Sequence, residues 1–361
     1  AGSYARPMFT PDGEQVVFSN KGISKSEAGI RSYSPRCFVV NFDGTGLRDL
    51  GEGYAEALWS DSSGDMWVFV IVDFKDDERV VMEGKRLEKF RLDAPAKREI
   101  FWDKTLVGGD SFRLGRDGLK MVGQFPWPES GIVDLKTGVL KRIGNGCWTS
   151  IAPDNSAISW VFDGAHRNVT LYDGAGGMLH TLAMNTHPDL EDQRIYHPRW
   201  SNHPRFAVVS GPYIHDKKAG ANRIEIYLAR FAADMSEVEQ WHRVTDNQRA
   251  DLYADVWIEG GSLAVLGKGP AEASAVKWPP EGEGLFFAWK NSRENVEVNG
   301  SICRVRAVGA SRYGKRFDLA PGTGRFIADG INSSEIDDLQ WLIVDAVITP
   351  AHQDGGVMGF G

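Results

Sequence analysis

Short apolar stretches alternate with turn residues along most of this 361-residue chain. One unit recurs, in which an aromatic or polar residue precedes an apolar strand, a turn of the Pro-Asp-Gly type and a second apolar strand. In the first unit Met8, Val16 and Phe18 fall on strand positions that predict one face against a core. Six copies of the unit begin at Tyr4, Tyr54, Asp110, Gly146, Ile195 and Asp251.

Most units continue into a third and a fourth strand. The stretches that begin at Cys37, Gly131 and Asn168 each join two strands through a glycine-containing turn. Four strands per repeated unit are typical of a β-propeller blade. We therefore expect an all-β fold in which residues 1–267 form a six-bladed β-propeller, with seven blades as the alternative.

The hairpin turns resemble those of the TolB-like family of β-propellers. Pro presets the backbone and Gly or Asn accepts a positive φ in such turns, and two steps match the family well: Pro11-Asp12-Gly13 and Pro153-Asp154-Asn155. Two others depart from it: Ser60-Asp61-Ser62 and Ser201-Asn202-His203. The resemblance extends from residue 4 to about residue 267. It implies a bacterial protein that is periplasmic or extracellular.

The chain changes in character after residue 267. Residues 268–284 are rich in Pro, Gly and Ala and predict a linker, and residues 285–361 contain further strand patterns at 285–289, 316–319, 324–328 and 340–350. This segment resembles the opening of a LamG or concanavalin-like jelly roll, which implies a partial β-sandwich. Its length is about half of what two covered sheets need. We therefore expect flanking segments or a larger assembly.

Charge and cysteine usage exclude several classes of protein. The net charge of −8 and the lack of a basic stripe argue against nucleic-acid binding. The longest apolar run, residues 66–72, is far too short to cross a bilayer. The three cysteines, Cys37, Cys147 and Cys303, have no spacing that fits a zinc site or a disulfide framework.

Three histidines fall in loops or strand starts that open on one face of a propeller. His197 precedes the first strand of the fifth unit, while His166 and His215 lie between second and third strands. With the carboxylate of Asp216 they form a candidate set of ligands for a divalent metal ion. No other cofactor is indicated. The competing interpretation is that these are exposed histidines that cap turns.

Two aromatic residues and one cation are candidates for ligand binding on the same face. Trp148 and Tyr196 lie at the starts of inner strands and could form a platform for sugars, and Arg167 lies beside His166. The alternative is that the aromatic rings pack at the top of the channel. Oligogalacturonate lyases resemble this chain in blade pattern and hold a metal with histidines, but their ligands do not map onto it residue by residue.

The sequence leaves two functions open. Two recognition folds without a catalytic motif favour a binding or scaffold protein that acts outside the cytoplasm on proteins or glycans. The alternative is an enzyme, a polysaccharide lyase that acts on an acidic glycan at the histidine face. No catalytic residue is assigned from the sequence in either case.

Overall fold

The computed structural model describes residues 4–42, 44–76, 82–213, 224–246, 250–258 and 261, together with the strand backbones 285–292, 300–304 and 342–345. These residues form strands and turns without a helix, which confirms the predicted all-β class. None of the described residues therefore belongs to a helix that could span a membrane.

Three sheets, of four, five and four strands, make up the first part of the chain. The first contains β1 (Tyr4–Phe9), β2 (Gln15–Asn20), β5 (Arg36–Asn41) and β6 (Arg48–Glu52), and a separate two-stranded hairpin of β3 (Ile23–Lys25) and β4 (Arg31–Tyr33) connects β2 to β5. The second contains β7 (Tyr54–Ser60), β8 (Met66–Phe74), β9 (Glu83–Arg91), β10 (Arg98–Trp102) and the short β11 (Val107–Gly108). The third contains β12 (Arg113–Leu114), β13 (Lys120–Gln124), β14 (Glu129–Asp134) and β15 (Val139–Asn145).

Three further sheets follow in the same manner. The fourth contains β16 (Cys147–Ile151), β17 (Ser159–Phe162), β18 (Asn168–Tyr172) and β19 (Met178–Ala183). The fifth contains β20 (Arg194–Trp200), β21 (Phe206–Tyr213), β22 (Glu225–Phe231) and β23 (Val238–Arg243). The sixth contains β24 (Ala250–Ile258), β25 (Leu285–Ser292), β26 (Gly300–Arg304) and β27 (Leu342–Asp345).

The sheets are arranged as a β-propeller. Their first strands touch one another in sequence: β1 with β7, β7 with β12, β12 with β16, β16 with β20, β20 with β24, and β24 with β1. These inner strands surround a central channel, and each begins close to the start of one of the six sequence repeats. The expected propeller is therefore confirmed.

The number of regular blades differs from the expectation of six or seven. Five sheets are antiparallel blades, whereas in the sixth β27 pairs with β26 in parallel. A parallel neighbour cannot follow through a tight hairpin and needs a long connection, so the sixth sheet departs from a blade at its outer edge. Among the described strands, the ring closes where β1 touches β24 rather than by a blade shared between the chain ends.

The C-terminal segment is described only in part. Strand β25, which we expected to open the second domain, pairs with β24 in the sixth sheet. The expected strands at 316–319 and 324–328 lie outside the described residues. The jelly roll and the boundaries 1–267, 268–284 and 285–361 therefore stay predictions.

The core consists of apolar layers between neighbouring blades. Between the fourth and fifth blades, the rings of Trp160 and Trp200 stack with centroids 3.7 Å apart, and Phe231 packs against both. All three side chains are fully buried. Burial of each contributes about 1.5–3 kcal/mol, so the blades hold one another in place.

One hairpin turn shows how the ring is closed. Gly13, in the first Pro-Asp-Gly step, has φ +78°, and a Cβ there would lie 2.7 Å from the ring of Trp257 on β24. The indole N–H of Trp257 donates to the carbonyl of Pro11 at 3.0 Å. Glycine is needed here both for the backbone conformation and for this close approach.

Candidate functional site

A β-bulge interrupts five of the inner strands near their first residues. The pairing register shifts in β1, β7, β16, β20 and β24. Four of these bulges contain a large residue with positive φ: Arg6 (55°), Trp148 (44°), His197 (55°) and Tyr253 (57°). Such backbone conformations cost about 1–3 kcal/mol each and cluster at functional sites.

The four bulge residues meet at one end of the channel. With Asp110, whose φ is 67°, they line a cavity there. We call this end the upper mouth and define it by Arg6, Asp110, Trp148, His197 and Tyr253. The bulges interrupt the regular strand pairing at equivalent positions on neighbouring blades. As a result, charged and aromatic side chains converge on one small volume.

Aromatic rings form one half of the upper mouth. Trp148 meets His166 and His197 edge to face, with centroids 5.3 and 5.0 Å apart. His197 packs on Tyr253 at 3.8 Å, and Tyr196 meets His166 at 4.3 Å. The structure thus brings together four of the residues singled out in the sequence: Trp148, His166, Tyr196 and His197.

Tyr196 and Arg167 contribute mainly to the framework of the mouth. Tyr196 is 4% exposed and packs on Tyr213 with centroids 3.9 Å apart. Arg167 is exposed, and its guanidinium donates to the carbonyl of Asp192 at 2.7 Å. In this arrangement Tyr196 supports the neighbouring rings, and Arg167 fixes the loop that presents His166.

The metal site stays a prediction. Among the described residues, no group of three or more His, Cys, Asp or Glu side chains is placed to hold a metal ion. His166 and His197 both contact the ring of Trp148, but His215 and Asp216 lie outside the described residues.

Charged side chains form the other half of the mouth. The guanidinium of Arg6 lies 2.9 Å from the carboxylate of Glu56 and 3.4 Å from that of Asp110. The carboxylate of Glu56 also accepts backbone N–H groups from Asp110, Ser111 and Phe112. Arg6 and Glu56 thereby join the first three blades at the channel.

The two carboxylates differ in their electrostatic surroundings. Burial raises the pKa of Glu56, and Arg6 offsets this only in part. Burial also acts to raise the pKa of Asp110, but the charges of Lys21 and Arg6 and a hydrogen bond from Tyr54 outweigh it and lower that pKa to about 2. Asp110 is therefore a fixed negative charge beside the aromatic rings.

A second set of polar residues lies one step deeper in the channel. Arg113, Ser150 and Arg199 line the same cavity from blades three to five, and Asp255 on blade six pairs with Arg199 and faces the cavity at the other end of the channel. On blades four to six they follow the bulge residue by two positions, so alternation along the strand directs them to the same side. We call these four residues the waist.

The opposite end of the channel is wider. We call it the lower mouth. It holds a cavity of about 680 Å³ between the hairpin turns, and the residues that line this cavity include Trp59, Arg116, Trp200 and Trp257. The indole N–H of Trp59 donates to the carbonyl of Arg116 at 2.9 Å. Of the candidate residues that the structure describes, none lines this cavity.

The residues that sequence reasoning missed share one signal. The five residues Arg6, Glu56, Arg199, Tyr253 and Asp255 all lie on inner strands. An alignment of the six repeats on their turns places them in two equivalent columns. The residue type in each column differs from blade to blade, so no single sequence motif identifies these positions.

Comparisons with known proteins add little to these observations. No protein-family model and no curated protein sequence matches the chain. TolB from Acinetobacter baumannii is 12% identical with a TM-score of 0.42, over 67% of this chain and 55% of that chain. An oligogalacturonate lyase in complex with manganese is 14% identical with a TM-score of 0.40, over 70% of each chain. A mitotic checkpoint complex is 10% identical with a TM-score of 0.43, over 80% of this chain and 89% of that chain.

At such identities and TM-scores these likenesses carry no functional argument. This chain spans about half the length of the TolB structure. The propeller assignment rests on the sheet topology itself.

Proposed function

We propose that this chain is a binding protein whose upper mouth takes a glycan. The observation that carries the proposal is the cluster of half-buried rings from Trp148, His166, His197 and Tyr253. Ligand sites are concave and mostly apolar, with a few placed polar groups. The apolar face of a sugar ring fits against such aromatic side chains.

Polar groups beside the rings supply the partners that sugar hydroxyls need. The ammonium of Lys21 donates to the hydroxyl of Tyr253 at 3.0 Å. The side chain of Asp110 remains 20% exposed and accepts a hydrogen bond from Tyr54 at 2.6 Å. These groups are held in place before any ligand arrives, which lowers the entropy cost of binding.

The TolB-like resemblance supports a periplasmic location for this activity, which cell fractionation tests. Protein chains are the other partner class indicated by the sequence. Binding of protein fragments is therefore measured separately in the binding experiment.

A lyase is the second candidate function. His166 and His197 approach the same ring, Trp148, from two adjacent blades, and this proximity supports the candidate. In that case a metal ion would neutralise a uronate carboxylate. A base would then take the neighbouring proton as the glycosidic bond breaks.

A glycan array followed by calorimetric titration of the best ligands tests the proposal. We expect wild-type protein to bind sugars and Trp148→Ala to lose at least about tenfold in affinity, because aromatic anchors dominate binding sites. Trp59→Ala is the matched control, since it removes an indole from the lower mouth. Binding of protein fragments but no sugar would contradict the proposal.

The lyase is tested on the same samples. Oligogalacturonate is incubated with the protein and manganese, and unsaturated product is followed by ultraviolet absorbance. Product that disappears in His197→Ala and on chelation would establish the enzyme. Binding without product would support the binding protein.

A further inference from the structure

The waist contains more positive charge than its own carboxylate balances. The Nε of Arg199 lies 3.5 Å from a carboxylate oxygen of Asp255, and the guanidinium of Arg113 lies 4.0 Å from the same oxygen. The second oxygen of Asp255 accepts the backbone N–H of Phe9 at 2.8 Å. Two guanidinium groups thus share one carboxylate.

Two polar groups of the waist face no protein partner among the described residues. These are the Nη2 of Arg199 and the hydroxyl of Ser150. Arg199 is 8% exposed and Ser150 is 4% exposed, so bulk water reaches neither well. The rest of the Arg199 guanidinium is fixed, because Nη1 donates to the carbonyl of Pro7 at 2.9 Å.

These groups line a cavity of defined size. Its volume is about 30 Å³, and its walls include Arg113, Ser150 and Arg199 and, on the upper side, Trp148 and Tyr253. Arg6 and Asp110 line it too, and the negative charge of Asp110 is paired there with Arg6. One water-sized atom needs about 10–15 Å³ of such space. The cavity therefore accommodates about two water-sized atoms, which is enough for the two oxygens of a carboxylate.

The electrostatic surroundings agree with this geometry. Burial, and then the neighbouring charge of Arg199, lower the pKa of Arg113 to about 9. Asp255 supplies one negative charge for two guanidinium groups, and a buried charge that is not fully paired is costly. Charge-assisted hydrogen bonds from guanidinium to carboxylate are among the strongest in proteins.

We propose that the waist is an anion site that receives the carboxylate of an acidic sugar whose ring lies against Trp148 and Tyr253. The source of the carboxylate rests on the proposed glycan function, because the same cavity opens onto the aromatic rings. Arg113 and the Nη2 of Arg199 bind the two oxygens, and Ser150 donates to one of them.

The test compares D-glucuronate with D-glucose by calorimetric titration of the full chain. The two sugars differ only at C6, which is a carboxylate in glucuronate and a hydroxymethyl group in glucose. A gained charge-assisted pair is worth about tenfold or more in affinity. We therefore expect wild-type protein to prefer glucuronate by at least about tenfold. Arg113→Gln should bring the two affinities to within about twofold, while the Arg199–Asp255 pair stays balanced.

Two further variants make the result specific. Arg116→Gln removes a guanidinium from the lower mouth and should keep the full preference. Ser150→Ala should reduce the preference without loss of charge, and it covers the case in which Arg113→Gln fails to fold. Equal affinity for both sugars in wild type, or a preference that survives in Arg113→Gln and Ser150→Ala, would overturn the anion site.

Acetate separates the anion site from the glycan proposal. If neither sugar binds, acetate should still raise the melting temperature of wild type and not that of Arg113→Gln. That result would keep the anion site and reject the sugar. A melting temperature that responds to acetate equally in both proteins, or in neither, would reject the site.

Discussion

The ring of Trp148 meets that of His197 edge to face with centroids 5.0 Å apart, although the two residues lie on different blades. Both occupy β-bulges with positive φ. Their contact shows that equivalent irregularities on neighbouring inner strands converge on one point. The upper mouth therefore arises because the same bulge recurs in the repeated blades, while the side chain at the bulge differs from blade to blade.

The buried pair of Arg6 and Glu56 should stabilise the ring strongly. Arg6→Met leaves the fully buried carboxylate of Glu56 without its cation, and loss of one partner of such a pair costs about 3–5 kcal/mol. Urea unfolding measures this change. Arg36→Met is the matched control on the same blade, because the Arg36–Asp49 pair is exposed and is worth at most about 1 kcal/mol. Equal effects of the two variants would contradict the account.

Ring closure through Trp257 predicts a difference between two similar glycines. Gly13 and Gly64 both have positive φ in hairpin turns, but only a Cβ at Gly13 meets Trp257, and a Cβ at Gly64 meets nothing within 4 Å. Each change to Ala costs about 1–2 kcal/mol for the backbone alone. Gly13→Ala should cost about 1–3 kcal/mol more because of the clash. Similar melting temperatures for the two variants would mean that the contact with Trp257 is unimportant.

The buried His242 predicts a loss of stability in acid. Burial, and then the charge of His187, lower the pKa of His242 to about 4, below the ordinary value of about 6.5. Between these values the unfolded chain binds more protons, so stability is complete above about pH 6.5 and declines as the pH falls through about 4. The decline approaches about 3 kcal/mol. Urea unfolding at several pH values should show it in wild type, and His242→Leu should flatten it; an unchanged slope would contradict the assignment.

Two cysteines should differ in reactivity. Cys37 is fully buried and its burial raises the pKa of the thiol, whereas Cys147 is half-buried at the start of β16. Alkylation depends on the exposed thiolate. Iodoacetamide labelling of the folded protein, read by peptide mass spectrometry, should therefore modify Cys147 well before Cys37. Faster labelling of Cys37 would show that the first blade opens easily.

Much of the fold follows from local sequence, because hairpins are encoded by neighbouring residues. The turn at Gly13 and the alternating strands beside it set the repeat, and the six repeat starts coincide with the inner strands. The parallel pairing of β27 with β26 depends on residues far apart in the chain. No local pattern encodes such a pairing, so the parallel outer edge of the sixth sheet was not predicted.

The site was predictable only in part, for the same reason. His166, His197 and Trp148 stood out because histidine and tryptophan are uncommon and fell in loops of known direction. Arg199 and Asp255 are ordinary charged residues, and their pairing arises only when β20 and β24 become neighbours. They can be identified only because they occupy equivalent positions in the aligned repeats, and no motif marks them.

The central claim is that the upper mouth binds the ligand, and the indole N–H signal of Trp148 in an NMR spectrum tests it most directly. The signal is assigned by its loss in Trp148→Phe, among the 12 tryptophans of the chain. Titration with glucuronate should shift the Trp148 signal and leave those of Trp59 and Trp257 at the lower mouth unchanged. Shifts confined to Trp59 and Trp257, with Trp148 unmoved, would contradict the account.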